Sequence, residues 1–331
     1  MEIRKTIEEK EEKNLSQYAT KSKYSKGRAI ASKECPIRTV FQRDRDRIMH
    51  SKSFRRLMHK TQVFISPEGD HYRTRLSHTL EVSQISRSLS RALMLNEDLT
   101  EAIALGHDLG HTPFGHTGES VLNKLLSCGF EHNEQSVRIV NTIEKLNLTQ
   151  ETIDGIKNHR GRFTPNTLEG KVVQISDKIA YVNHDIDDAI RANLIDFKDL
   201  PKDCINLLGE SSSQRINFLI TNIVKNSYNE NHILLDDNVK EKFYKLRGFM
   251  YEKVYSSHIL KQDRLKVAHM LKDIFNFYID DFNKLPDEYI KMVQDGEEME
   301  LVVADFIAGM TDRFSIKHYN QLFLPLAWTK L

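Results

Sequence analysis

The 331-residue chain sets 48 Lys+Arg against 47 Asp+Glu, a formal net charge of +1, so it lacks the bulk basic field of a dedicated nucleic-acid binder. Its composition, 39% hydrophobic and 29% charged, is that of an ordinary globular protein, and three scattered cysteines (Cys35, Cys128, Cys204) exclude a disulfide framework and a CxxC zinc site. A charged N-terminus, MEIRKTIEEKEEKN, and the lack of any apolar run of membrane-spanning length make a cytoplasmic protein the expectation.

In chain order the patterns are almost entirely helical. Residues 1–37 form a polar arm with one early helix, and 38–59 reads as one charged helix. Only KTQVFIS (60–66) carries a short strand signal; SPEGDHYRTR then reads as a turn-rich link. From Ser77 to about Leu95, Val82, Ile85, Leu89 and Leu93 share one apolar face. Asp98 or Thr100 is the expected N-cap of the next helix. Further helices are expected over 117–127, 131–146, 150–159, 168–191, 212–230, 236–256, 258–283 and 297–311. The expectation is an all-α fold: a helical core over 38–200 with a C-terminal helical region, 201–331, packed on it. RDRDR (43–47) reads as a salt-bridge lattice, Trp328 as an anchor for the tail, and the aromatic-rich 236–283 region as a subunit interface.

Chemistry concentrates in ALGHDLGHTPFGHTGE (104–119), which gathers His107, Asp108, His111, His116 and Glu119 among glycines and Pro113. Adjacent residues on a regular helix point about 100° apart. At a helix end running into Gly110, however, His107 and Asp108 can both turn toward one ion, and imidazole with carboxylate is a transition-metal set. His78 lies on the apolar face of its helix, as a satisfied core histidine or as a further ligand. Asp177 sits among Ile175, Ile179 and Ala180, where an unpaired carboxylate is costly. Lys178, Tyr181 and Asp185 accompany it on the same helix, toward one cleft or as a salt-bridge ladder Asp177–Lys178–Asp185. His159 and Arg160 in KNHRGRF fit a cavity wall or a loop equally well.

The order H…HD…D, filled by His78, His107–Asp108 and Asp177, resembles the HD-domain metal-dependent phosphohydrolases. RTRLSHTLEV, GHDLGHTPFGHTGE, FEHNEQS, SDKIAYVNHDIDD and VVADFIAGMTDRF are similar to the deoxynucleoside triphosphate triphosphohydrolase branch, the dGTPases. The resemblance spans roughly 38–325 and is weakest over 195–295. It implies one divalent metal, Mg²⁺ or Mn²⁺ first and Fe²⁺, Ni²⁺ or Zn²⁺ permitted, held by His78, His107, Asp108 and Asp177. It implies His116 and Glu119 as a catalytic pair with His111 beside the phosphates. Arg75, Gln62, His132, Lys178, Tyr181 and Asp185 would bind the substrate. It also brings a symmetric dimer-based oligomer, as large as a hexamer, and a second, regulatory dNTP near RDRDR; the residues themselves decide neither.

The expected activity is hydrolysis of dNTPs, dGTP or a broader set, to deoxynucleoside and inorganic triphosphate. That reaction needs a polarised α-phosphate, a water, charge neutralisation and a proton for the departing 5′-oxygen. No GxxxxGK[ST] or GxSxG occurs, which excludes a Walker-type NTPase and a nucleophile elbow. Two alternatives stand beside it. One is an HD phosphohydrolase acting on mono- or cyclic nucleotides. The other is a nucleic-acid-binding or regulatory protein with a vestigial site, using clusters such as KSKYSKGR and SFRRLMHK.

Overall fold

The computed structural model describes residues 2–62 and 73–325. Those residues are all-α: sixteen α-helices and short 3₁₀ and π turns, with isolated bridges in place of strands. Of the strand expected over 60–66, residues 63–66 lie outside the described residues, and Thr61 makes one antiparallel bridge to Thr74. Most of the SPEGDHYRTR link and Trp328 also fall outside them. No helix is long and apolar enough to cross a membrane among the described residues.

The N-terminal arm carries α1 (Ile3–Asn14) and is pinned by inward carboxylates. Glu169 accepts from Thr20 and Asn96, and Glu151 from Ser25 and Lys26. The single helix expected over 38–59 is instead α2 (Val40–Met49), α3 (Lys52–Arg56) and a 3₁₀ turn. Ser51 breaks it by capping the Phe54 amide at 3.1 Å. RDRDR is a lattice only in part. Arg45 bridges Asp46 and Glu101, but Asp44 points inward to Arg28, Thr149 and Thr152.

The central helices are α4 (Arg75–Ala92), α5 (Glu97–Gly106), α6 (His116–Leu125), α7 (His132–Arg138), α8 (Gln150–Asn158) and α9 (Leu168–Arg191). Neither Asp98 nor Thr100 caps α5. Asn96 does, accepting from the Leu99 amide at 3.2 Å, while Asp98 is taken by Gln42 and Thr100 bonds the Asn96 carbonyl. The C-terminal third holds α10 (Lys202–Leu208), α11 (Ser212–Ser227), α12 (Asp237–Met250), α13 (His258–Asp280), α14 (Asp287–Gln294), α15 (Met299–Ala308) and α16 (Asp312–Phe323). The sequence patterns mark no helix over α10, α14 or α16.

Three apolar clusters hold these helices. The largest joins α4, α5 and α9 through Val82, Ile85, Ile103, Val172 and Ile179 and runs on into α10–α12 through Leu208, Leu219 and Phe243, so residues on both sides of position 200 share one core. A second gathers Phe114 and Leu122 with Leu271 and Ile274 of α13 and Val302, Val303 and Ile307 of α15. The third packs Ile48 and Leu57 on Leu105, Leu109 and Ile156. Each fully buried aliphatic side chain contributes about 1.5–3 kcal/mol, so these clusters position the loops between them firmly.

Candidate active site

The site lies where α4, α5 and α9 pack together and the loop after α5 crosses their ends. Thr74 and Ser77 form a reciprocal capping box that starts α4 and brings His78 into its first buried turn. His107 is the C-cap of α5, so the helix stops beneath the HD pair. Gly110 follows against α7: a Cβ there would stand 2.2 Å from the Ser136 nitrogen and 2.3 Å from the His132 carbonyl oxygen. Only glycine admits that approach, which brings α7 under the loop.

The four candidate metal ligands converge. His78 Nε2 lies 3.0 Å from Asp177 Oδ1; His107 Nε2 lies 3.6 Å from Asp108 Oδ1 and 3.9 Å from Asp177 Oδ1. Donors bound at about 2.0–2.2 Å to one ion stand about 3–4 Å from one another. His78, His107 and Asp108 bring ligand atoms within 4.8 Å of each other, and Asp177 approaches them through His78 and His107. His107 Nδ1 faces the Ala104 carbonyl at 2.7 Å, which assigns the proton to Nδ1 and a lone pair to Nε2. That Nε2 is buried and has no hydrogen-bond partner. A buried acceptor without a donor is expensive, and a cation is the group that resolves it. The residues present therefore fit a divalent metal. Asp108 is kept far below the usual carboxylate range: burial opposes this, but Arg75 and the neighbouring histidines outweigh it. Arg75 Nη1 holds Asp108 Oδ2 at 2.7 Å.

The second half of the loop leaves that quartet through His111, whose Nε2 still lies 3.6 Å from Asp108 Oδ1. Phe114 and Gly115 both take positive φ, +59° and +56°, a bend that turns the chain so that α6 begins at His116. Glu119, in the first turn, accepts from His116 Nδ1 at 3.1 Å through Oε2. Its other oxygen is shared by His132 Nδ1 at 2.9 Å, the His132 amide and Arg160. Burial would raise the Glu119 carboxyl, but the hydrogen bonds from His116 and His132 drive it well below its ordinary range. The His116 side chain is 61% exposed, so its remaining nitrogen is open to a ligand. His111 is buried, stacks on His132 with centroids 4.1 Å apart, and has Nδ1 without a partner. Burial and the charge of Arg75 keep it well below the normal imidazole range.

His159 belongs to the cavity wall. Its Nδ1 faces the Ile156 carbonyl at 2.7 Å and its Nε2 faces His132 Nε2 at 3.2 Å, so both His132 nitrogens meet acceptors. Burial, with His107 and His132 nearby, pushes His159 down to about 3. Gln62 is buried with Oε1 unpartnered, and its carbonyl lies against Gly115. Lys178 sits beside Gly161. The ladder Asp177–Lys178–Asp185 is not formed: Asp177 turns to His78, and Asp185 accepts from Tyr255. Tyr181 stacks on Tyr255 at 5.3 Å, and burial pushes Asp185 up to about 7. At 1.5 Å per residue, Asp177, Tyr181 and Asp185 mark out about 12 Å of one α9 face.

Sequence reasoning missed Tyr255 and Lys60. Tyr255 comes from the π turn after α12, in the stretch least like the family, where only the spacing of Tyr251 and Tyr255 signals anything. Lys60 is buried and donates to the carbonyls of His111 and Ala308; burial, with Arg56 nearby, pulls it down to about 7. One lysine among 48 basic residues carries no signal that it turns inward.

Comparison with known proteins places the chain in a family. Residues 75–182 match the HD domain, and residues 233–321 match a phosphohydrolase-associated domain. The chain is 54% identical to the deoxyguanosinetriphosphate triphosphohydrolase-like protein of Caldanaerobacter subterraneus subsp. tengcongensis, over 99% of this chain and 98% of that one. It is 48% identical to the protein of the same description from Clostridium tetani, over 98% and 97%. A solved structure of a hypothetical protein from Aquifex aeolicus aligns with 86% of this chain and 69% of its own, at 21% identity and a TM-score of 0.48.

Proposed function

We propose, for a chain that belongs to the HD-domain, deoxyguanosinetriphosphate triphosphohydrolase-like family, that it hydrolyses deoxynucleoside triphosphates to deoxynucleoside and inorganic triphosphate. Its class, a hydrolase of the HD phosphohydrolase type, comes with that membership; the substrate and the residue roles are our reading. The observation that carries it is the division of one loop: His107 and Asp108 turn to His78 and Asp177, while His116, steered by Glu119, stands on the open side.

When bound by His78, His107, Asp108 and Asp177, a divalent ion such as Mg²⁺ or Mn²⁺ supplies Lewis acidity at the α-phosphate and to the attacking water. The water oxygen bonds to the α-phosphorus as the bond from phosphorus to the 5′-oxygen breaks, and the proton the water sheds passes through solvent to replace the one His116 gives up. The electron pair leaves on the 5′-oxygen, which takes its proton from His116 Nε2, the nitrogen that Glu119 does not hold. Arg160 and Lys178 neutralise charge on the triphosphate, and Arg75 keeps Nε free for it while Nη1 holds Asp108. His111 and His132 line the phosphate side, and Gln62, Tyr181 and Asp185 the sugar side.

The test is the identity of the phosphorus product when protein loaded with Mg²⁺ or Mn²⁺ is given each of the four dNTPs. Inorganic triphosphate is expected from at least one. Pyrophosphate plus dNMP, or turnover of mono- or cyclic nucleotides alone, contradicts the reading.

A further inference from the structure

The motif VVADFIAGMTDRF (302–314) lies nearly two hundred residues beyond the catalytic loop in sequence and touches no proposed ligand. It nevertheless forms the corner between α15 and α16 that meets Lys60, Thr61, Phe114 and α7. Asp312, at the start of α16 and 3% exposed, accepts from the Phe114 amide through Oδ1 at 2.9 Å. Its Oδ2 accepts from the Thr61 amide at 2.9 Å and from the Thr61 hydroxyl. Asp305, seven residues earlier and 1% exposed, accepts from Gln135 at 2.8 Å and from Arg138 Nε at 2.8 and 2.9 Å. Between them the Ala308 carbonyl accepts from Lys60, whose ammonium also reaches the His111 carbonyl.

Most of these partners line the open side of the site, while Thr61 and Lys60 also join the head of α4 at Thr74 and Arg75. Phe114 is the non-glycine residue at φ +59° that turns the chain into α6, so the bond from its amide holds a bend the side chain disfavours. The Phe114 ring is seated in the apolar cluster made by α13 and α15. Gln135 and Arg138 belong to α7, which begins with His132, and Thr61 precedes Gln62. The metal quartet is carried by α4, α5 and α9, joined in a different cluster, and α7 meets it at the loop, where Ser136 Oγ donates to the His107 carbonyl and accepts from the Gly110 amide.

We infer that the α15–α16 corner is the positioning element for the proton-donating half of the site, with Asp312 the positioning residue for the loop 111–116 and Asp305 that for α7. Two carboxylates seven residues apart thereby set where His116 and His132 stand, without touching substrate or metal. The phosphohydrolase-associated region thus registers the second half of the loop against the residues of the first half, His107 and Asp108. As a statement about catalysis it rests on the function proposed above; as a statement about the loop it does not.

The experiment compares the full-length, metal-loaded protein with Asp312→Asn, Asp312→Ala and Asp305→Asn. The readouts are hydrogen exchange followed by mass spectrometry, metal content, and dNTP kinetics. Asparagine keeps the shape of Asp312 but sets an N–H against a donor, so it loosens the contact with little change in volume. Asp312→Asn is expected to raise exchange over 109–119 at least tenfold and to leave 78–92, 168–183 and the metal content unchanged. Asp305→Asn is expected to raise exchange over 131–138, and over the loop only near Gly110, whose amide donates to Ser136, and not over 112–119. Turnover by Asp312→Asn should fall about 10–100-fold with KM within about threefold, as a small misplacement of a reacting group does. Unchanged exchange over 109–119, or an equal rise throughout the chain, overturns the inference, as does loss of metal in step with activity. If the wild type releases no triphosphate from any dNTP, the proposed function fails while the exchange pattern still decides this one. If Asp312→Ala does not fold, the two asparagine variants carry the test.

Discussion

Glu119 and His132 meet twice at one carboxylate oxygen: Oε1 lies 3.1 Å from the His132 backbone nitrogen and 2.9 Å from its Nδ1. The second oxygen is thereby left to His116 Nδ1 at 3.1 Å. One buried carboxylate both fastens α7 to the loop and aims the exposed imidazole.

These two duties separate by mutation. His116→Ala should keep its full metal content and lose 10²–10⁴-fold in kcat, the usual worth of a positioned proton donor. Because the His116 side chain is 61% exposed, its melting temperature should hardly move. Glu119→Gln should lose a comparable rate and also melt lower, since an amide cannot accept at every donor now facing Glu119, and a buried unmade hydrogen bond costs about 1–3 kcal/mol. Parallel calorimetry and kinetics on the two variants check both halves.

His107→Ala should bind no metal at this centre. The wild type should melt several degrees lower after chelation and recover when Mg²⁺ or Mn²⁺ is restored, because an ion that binds only the folded state stabilises it by mass action. The variant should show neither response. Metal content by mass spectrometry and thermal melts with and without added ion test this.

Gly110→Ala should damage stability and activity together. The added carbon would meet the backbone of α7 at 2.2, 2.3 and 2.6 Å, and no side-chain rotation relieves that. Overpacking of this kind costs about 1–3 kcal/mol, sometimes more. A melt unchanged from wild type would show that α7 does not pack on the loop in this way.

Asp185 predicts a pH dependence of stability with a definite sign. Burial raises its folded pKa to about 7, well above that of an unfolded aspartate, so the folded state binds the extra proton between the two values. Its contribution is fully present below the unfolded pKa and is lost as pH rises through about 7. Asp185→Asn, neutral at every pH, removes that loss. The wild type should therefore fall in melting temperature relative to the variant between pH 5 and pH 8. A gap that is constant or moves the other way contradicts the burial of this carboxyl.

The sequence made the all-α class and several long helices legible because strong apolar periodicity persists through them; α9 spans residues 168–191, the expected range. The continuous helix over 38–59 failed because Ser51, a polar residue in a polar run, acts as a cap only once the Phe54 amide is placed. The helices α10 and α14 are short, and their apolar faces, like that of α16, have meaning only against neighbours distant in sequence. At the site, His78, His107, Asp108 and Asp177 stand out by residue type, since imidazoles and carboxylates in apolar surroundings need a partner. The double duty of Glu119, the turn of Asp185 toward Tyr255, and the reach of Asp312 to Phe114 are facts of packing. No local pattern records a contact between residues 114 and 312.

The central claim, that water attacks the α-phosphorus and the 5′-oxygen departs with a proton, is tested most directly by turnover in ¹⁸O-labelled water. The account predicts inorganic triphosphate carrying one ¹⁸O on a terminal phosphorus, together with unlabelled deoxynucleoside. Label in the nucleoside, or pyrophosphate or orthophosphate as the released product, would contradict it.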